Sequence, residues 1–380
     1  MFVCKTPKAV YAGEGALNQL PLMLGGARKA AVFSDRGIEK SGVLDKPLAL
    51  LKEAGVDYEL LLDLPAEPTY HQAQAVVEAF RDAQAQVIIA IGGGSVMDVA
   101  KLCSILAQGP LTVKDLLDDP SRGVKTVQSV MIPTTAGTGA EATPNAIVAV
   151  PEKELKVGIV CEAMIPDAVI LDGEMIRRLP AHIAASTGVD ALCHAIECFT
   201  SKKATAFSDL YALEALKLII PNIEQACLNP DAVEAKNRML LAAYYAGVAI
   251  TCSGTTAVHA LSYPLGGKYH IPHGVANAMM LMPVMRFNKD ACQAELARVY
   301  DALGGREAIN DTVKAEWVLA KMDAIVRKLE IPTDLKKYGV PLEDLEGLVT
   351  AGMDVQRLLR NSKREVTASD ARALYLELLA

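Results

Sequence analysis

An α/β half wound around a parallel sheet, followed by an all-helical half, is the fold class this sequence predicts. Two textures carry that prediction. Up to about residue 180, short β-branched and apolar runs alternate with helical patterns, the signature of strands joined by crossover helices. Beyond Leu179-Pro180 the strand signal disappears and helical periodicity runs on to residue 380. The expected domains are therefore residues 1–180 and 181–380, with a site in the cleft between them.

The elements follow in order. Residues 30–34 read as a strand, 46–53 as a helix and 58–62 as a strand. A helix over 70–84 leads to an apolar strand at 87–91, and three glycines then turn the chain into a helix over 96–107. A further strand begins at 129–132. In the second half, 186–200 and 243–262 read as helical segments. Prolines 221, 230, 264, 272, 283, 332 and 341 punctuate that half. Thr367-Ala-Ser-Asp370 is a capping box for a last helix ending at Leu379.

Composition excludes several classes. A net charge of −7 argues against a primary role on nucleic acid or an anionic membrane. No apolar run approaches the ~18 residues of a membrane span, and the segment Met1 to Lys8 lacks a signal-peptide core, so a cytoplasmic protein is expected. The eight cysteines form no C-x-x-C pair and read as reduced, mostly buried thiols. A single Trp makes base-stacking platforms unexpected.

Three segments suit a nucleotide. Gly92-Gly93-Gly94-Ser95 lies between a buried strand and a helix, where glycine permits close backbone approach and the helix N-terminus offers free N–H groups. The same residues also suit a tight turn with no ligand. Asp98, in the first helical turn, equally complements the helix dipole. Asp35 closes the strand before it and can either read ribose hydroxyls, favouring NAD over NADP, or simply shape a turn before Gly37. Arg36 next to it weakens that preference, since it can offset a 2′-phosphate. The run Pro133-Thr134-Thr135-Ala136-Gly137-Thr138-Gly139 crowds hydroxyls and glycines after another strand.

A different chemistry gathers between residues 190 and 273. Asp190 and His194 are i and i+4, so both side chains leave one helix face about 6 Å apart. His259 lies in a later helical segment, and His273 stands between Pro272 and Gly274. One carboxylate and three imidazoles without thiolate suit Fe2+ or Zn2+. Satisfied core or surface residues are the competing reading, and His71 and His182 are assigned to it.

In order along the chain, Gly92-Gly-Gly-Ser95-x-x-Asp98, Pro133-Thr-Thr-x-Gly137-Thr-Gly-x-Glu141, Gly188-Val-Asp190-Ala-Leu-x-His194-Ala-Ile-Glu197 and His259-x13-His273-Gly274 resemble the iron-containing (group III) alcohol dehydrogenases. The likeness covers residues 5 to 375. It implies a dinucleotide-binding α/β domain and a helical metal-binding domain, a fold shared with dehydroquinate synthase, usually in a homodimer. It implies hydride transfer between NAD, or NADP, and a small alcohol, diol or aldehyde. Asp190, His194, His259 and His273 match the metal ligands. Gly92, Gly93, Gly94 and Ser95 match the diphosphate cradle, and Asp35 the ribose-reading acid. Thr134, Thr135 and Thr138 match cofactor contacts, with Asp98, Asn145 and Lys156 in the same group.

The sequence also departs from that pattern. A second His four residues after the first late ligand, a proposed proton relay, is here Tyr263, so Tyr263, His270 or water is left for the role. A pocket aromatic is replaced by Ile250, and the C-terminal Asn-Pro-Arg by Asn361-Ser-Lys-Arg364. The same fold also serves a lyase and a hydroxyacid–oxoacid transhydrogenase, the latter needing a carboxylate-binding base such as Lys156 or Arg364. A non-catalytic nucleotide- or metal-binding protein is the reading from outside enzymology, and it would be expected to have lost ligands.

Overall fold

The computed structural model describes residues 3–153 and 155–379. Its strands are β1 (Ala9–Ala12), β2 (Lys29–Phe33), β3 (Asp57–Leu61), β4 (Val87–Gly92), β5 (Gln128–Pro133), β6 (Asn145–Val150), β7 (Leu155–Val160) and β8 (Ala168–Leu171). Six form a sheet in the order β1-β8-β5-β4-β2-β3, every pairing parallel. β6 and β7 form a separate antiparallel hairpin that the sequence reading did not anticipate.

β4 is buried along its whole length, as a strand covered on both faces must be. Alternation assigns its side chains to two cores. Ile88 and Ala90 join Phe33, Phe80 and Leu102 on one face, while Val87, Ile89 and Ile91 join Leu20, Val32 and Ile132 on the other.

Strand order also decides where a ligand fits. β2 and β4 are neighbours, but the chain leaves β2 for β3 on one side and β4 for β5 on the other. Their carboxyl ends flank a topological switch point, the usual ligand crevice of such sheets. Asp35 follows β2, the triple glycine closes β4, and residues 134–138 follow β5.

The helices of this half are α1 (Arg36–Ser41), α2 (Asp45–Glu53), α3 (Tyr70–Ala83), α4 (Gly94–Leu106) and α5 (Val113–Asp118). The remainder comprises α6 (Ala181–Phe199), α7 (Ala206–Leu228), α8 (Val233–Ser253), α9 (Ala257–Tyr269), α10 (His273–Asn288), α11 (Gln293–Ala302), α12 (Asp311–Lys328), α13 (Leu345–Asp354), α14 (Gln356–Leu359) and α15 (Ala368–Leu379). The capping box at Thr367 and Asp370 is formed, each backbone N–H donating to the other's side chain. Among the described residues no single helix is long and apolar enough to cross a membrane.

One reading is corrected here. The helical segment expected over 243–262 is two helices, broken at 254–256, where Gly254 takes φ +69°. The first turns of α8 pack with the first half of the chain. One compact unit contains Cys4–Leu179 together with Pro230–Gly247, and the other holds Pro180–Asn229 and Val248–Ala380. The reason is a backbone-to-backbone contact: a Cβ on Gly139 would lie 2.6 Å from Gly247 Cα. Only paired glycines let α8 approach that loop.

Candidate functional site

The glycine turn is packed too tightly for side chains. A Cβ at Gly92 would meet Val96 Cβ at 2.5 Å, and one at Gly94 would meet the Thr138 side chain at 3.0 Å. A Cβ at Gly93 would face Thr135 Oγ1 at 3.5 Å, so the loop after β5 lies over the turn. The N-terminus of α4 has no side-chain cap and no acid in its first turn, leaving its N–H groups to an anion. That arrangement fits a diphosphate. Ser95 Oγ accepts the Glu67 N–H at 3.1 Å, and Thr134 N–H is spent on Gly92 O at 3.0 Å.

Asp35 caps α1. Its Oδ1 accepts from the N–H groups of Gly37 and Ile38 at 2.7 and 2.9 Å, which fixes the carboxylate in one orientation. Arg36 is drawn away from it by Asp63, at 3.2 Å, and Glu39, at 3.3 Å.

Two expected nucleotide contacts, Asp98 and Lys156, are engaged in ion pairs. Asp98 is buried, with Oδ2 accepting the Ile147 N–H at 2.9 Å and Oδ1 in an ion pair 2.8 Å from Lys101 Nζ. Its work is to fasten β6 to α4, because a carboxylate taken out of water must be matched by a cation. Lys156 is ion-paired with Glu67 at 2.6 Å. Asn145 offers its backbone carbonyl to Lys101. Lys101 itself is fully buried and also donates to Ala140 O at 3.0 Å, tying down the loop after Thr138. Burial pushes the neighbouring Glu141 carboxyl up to about 7.

In the other unit Asp190, His194, His259 and His273 converge, their ligand atoms all within 4.8 Å of one another. Asp190 Oδ1 lies 3.9 Å from His194 Nε2 and 3.7 Å from the Nε2 atoms of His259 and His273. Two ligands about 2.1 Å from a tetrahedral ion stand about 3.4 Å apart, so these edges fit one cation. Among the described residues no Lys or Arg pairs with Asp190. Burial pushes the Asp190 carboxyl up, and the three imidazoles with Asn277 outweigh it, so it stays an anion. Burial pushes His194 down to about 4, which keeps that imidazole neutral and able to bind a metal.

Local sequence makes the convergence possible. α6 presents Asp190 and His194 one turn apart. α9 starts so that His259 falls in its first turn, and Pro272 places His273 at the start of α10. Gly274 then lets α10 press on α6, since a Cβ there would overlap Ser186 O and lie 2.7 Å from Ser186 C.

Two residues that sequence reasoning left without a role complete the cluster. Glu197 is fully buried on α6. Its Oε1 accepts from Thr256 N–H and Val258 N–H, each at 2.9 Å, and from Thr256 Oγ1 at 2.6 Å, which caps α9. Its Oε2 pairs with His259 Nδ1. Burial pushes His259 down, but Glu197 outweighs it, and the ring is set with Nε2 toward the cluster. Asn277 Nδ2 donates to Asp190 Oδ1 at 2.6 Å and lies 3.1 Å from His259 and His273 Nε2. The available signal was spacing: Glu197 is i+3 from His194 and Asn277 is i+4 from His273, each in an apolar helix.

Of the two relay candidates, Tyr263 is half-buried, with its ring 6.2 Å from that of His273. His270 is exposed at the αL C-cap of α9, and no contact ties it to the cluster.

Comparison with known proteins agrees with this geometry. Residues 7–173 match the family described as iron-containing alcohol dehydrogenase, and residues 184–379 the C-terminal part of the Fe-containing alcohol dehydrogenase family. The chain is 32% identical to long-chain-alcohol dehydrogenase 1 of Geobacillus thermodenitrificans, over 97% of this chain and 94% of that protein. A crystal structure of 1,3-propanediol oxidoreductase superposes with TM-score 0.92 at 28% identity, covering both chains fully. Sulfoacetaldehyde reductase from Bifidobacterium kashiwanohense, solved with NAD+, gives 0.90 at 26% identity, over 100% of this chain and 99% of that one.

Proposed function

This chain belongs to the iron-containing alcohol dehydrogenases, metal-dependent NAD(P)-linked alcohol and aldehyde oxidoreductases, and from that premise we propose that Asp190, His194, His259 and His273 hold its divalent cation, Fe2+ or Zn2+. The observation that carries the assignment is the meeting of four donors from three helices around one point, with no Lys or Arg among the described residues paired to the carboxylate. When bound, the cation polarises the substrate oxygen and the nicotinamide carries the hydride.

The chain's own residues do the positioning. Glu197 orients His259, and Asn277 orients Asp190. Gly93, Gly94 and Ser95 offer uncapped N–H groups to a diphosphate, with Thr135 and Thr138 above them. Asp35 keeps one oxygen clear of its capping bonds for ribose hydroxyls, and Arg36 is engaged by two acids, which supports NAD over NADP. Lys156 contributes indirectly, through Glu67 to Ser95. Tyr263 is the proton relay in this reading, supported by its ring lying 6.2 Å from that of His273.

The same reading takes residues 1–180 as the nucleotide domain and 181–380 as the cation domain of a cytoplasmic homodimer. Its partner is a small alcohol or aldehyde, not nucleic acid or membrane. The acidic net charge and the open edge strand β1 support this. The two bases named for a transhydrogenase are engaged elsewhere, Lys156 with Glu67 and Arg364 with Phe287 O and its ring, 3.8 Å away.

The test loads metal-free protein separately with Fe2+ and Zn2+ and follows NADH and NADPH oxidation against short aldehydes and ketones. His259→Ala is expected to lose metal retention and turnover while still binding NADH. Turnover by that variant at the wild-type rate would overturn the ligand assignment.

A further inference from the structure

The face of α9 that carries His259 continues one turn later into Tyr263, about 6 Å along the helix axis. The guanidinium of Arg357, on α14, lies beside the Tyr263 hydroxyl. α14 is itself firmly seated. Leu358 and Leu359 are buried, and α13 and α14 both pack on α9. Asn361 Nδ2 donates to Thr255 O at 2.8 Å, and a Cβ on Gly352 would press on Leu261 of α9 at 2.9 Å. Arg357 is therefore an exposed cation on a helix seated against α9, at the hydroxyl of Tyr263, whose ring is 6.2 Å from that of His273. Among the described residues no carboxylate pairs with it.

A guanidinium has five N–H donors in a planar fork that matches a carboxylate or sulfonate, and here only the phenol engages it. We propose that Arg357, seated beside Tyr263 one turn of α9 beyond His259, receives the acid end of a short aldehyde or alcohol whose reacting oxygen lies at the Asp190–His cluster. The substrate class thus sharpens the oxidoreductase assignment above and rests on it.

The test compares reduction of aldehydes of three to four carbons bearing a terminal carboxylate or sulfonate with reduction of uncharged aldehydes of equal length. It uses metal-loaded enzyme and NADH. Wild type is expected to favour the acid-bearing chains in kcat/KM, with KM for those chains rising with ionic strength. Arg357→Gln is expected to cut that preference by about 10- to 100-fold, and Arg357→Lys to restore part of it. Independently of turnover, butanoate is expected to raise the melting temperature of wild type more than that of Arg357→Gln.

An acid-to-uncharged ratio equal in wild type and Arg357→Gln, with uncharged aldehydes still reduced, would overturn the proposal and leave the dehydrogenase reading intact. Reduction of neither class by loaded wild type would overturn the reading beneath it. Better turnover of carboxylates than sulfonates, or the reverse, identifies which acid the fork serves.

Discussion

Glu197 has two oxygens and two tasks, and they can be separated by substitution. One oxygen closes the N-terminus of α9, and the other holds the Nδ1 side of His259 so that Nε2 faces Asp190. Glu197→Gln keeps a carbonyl acceptor for the N–H groups of Thr256 and Val258, but sets an amide donor against His259 Nδ1–H. Loss of such an outer partner costs about 10- to 100-fold in metal affinity. Chelator competition is therefore expected to show that loss in Glu197→Gln, with an unchanged circular dichroism spectrum. Glu197→Ala removes the cap as well, and the stranded buried donors cost about 1–3 kcal/mol each in unfolding experiments. Wild-type metal affinity in Glu197→Gln would show that the carboxylate serves α9 alone.

Between elements, the decisive contact is Gly274 on the backbone of Ser186. The methyl of Gly274→Ala must push α10 away from α6, at about 1–3 kcal/mol, and must carry His273 with it. Metal-free protein is expected to lose that stability in urea, and metal retention is expected to fall while NADH binding persists. This contact also explains what was legible in the sequence. The Asp190–His194 pair follows from helical period alone, and the buried run of β4 and its glycine turn follow from composition. That His259 and His273 meet them depends on tertiary packing, which periodicity does not encode. The break at 254–256 was marked only by the short polar run Ser253-Gly254-Thr255-Thr256, and the helical pattern on either side of it read as one segment. The β6–β7 hairpin was hidden because Pro144 and Pro151 bracket β6, and Pro151 and Pro166 bracket β7. At Asp98 the sequence left a ligand contact and a helix-dipole role open, because pattern alone does not show the buried Lys101 that pairs with it.

For the whole molecule, the consequence is that two ligands act on different units. The four cation donors come from α6, α9 and α10 of one unit, whereas the glycine turn and the loop after β5 belong to the other. A ligand that binds only the folded state stabilises it by about 2.7 kcal/mol at a free concentration of 100 Kd. For a unit of this size that corresponds to about 5–10 °C in Tm. Fe2+ or Zn2+ is therefore expected to raise Tm by that amount over chelated protein, and His259→Ala is expected to show no such rise. Hydrogen exchange assigns the effect to place, because only amides whose opening releases the ligand gain protection. Metal is expected to slow exchange in α6, α9 and α10, and NADH in residues 92–98 and 133–140. Protection by metal confined to the glycine turn, with α9 unchanged, would mean that the cation is held elsewhere than at Asp190 and the three histidines.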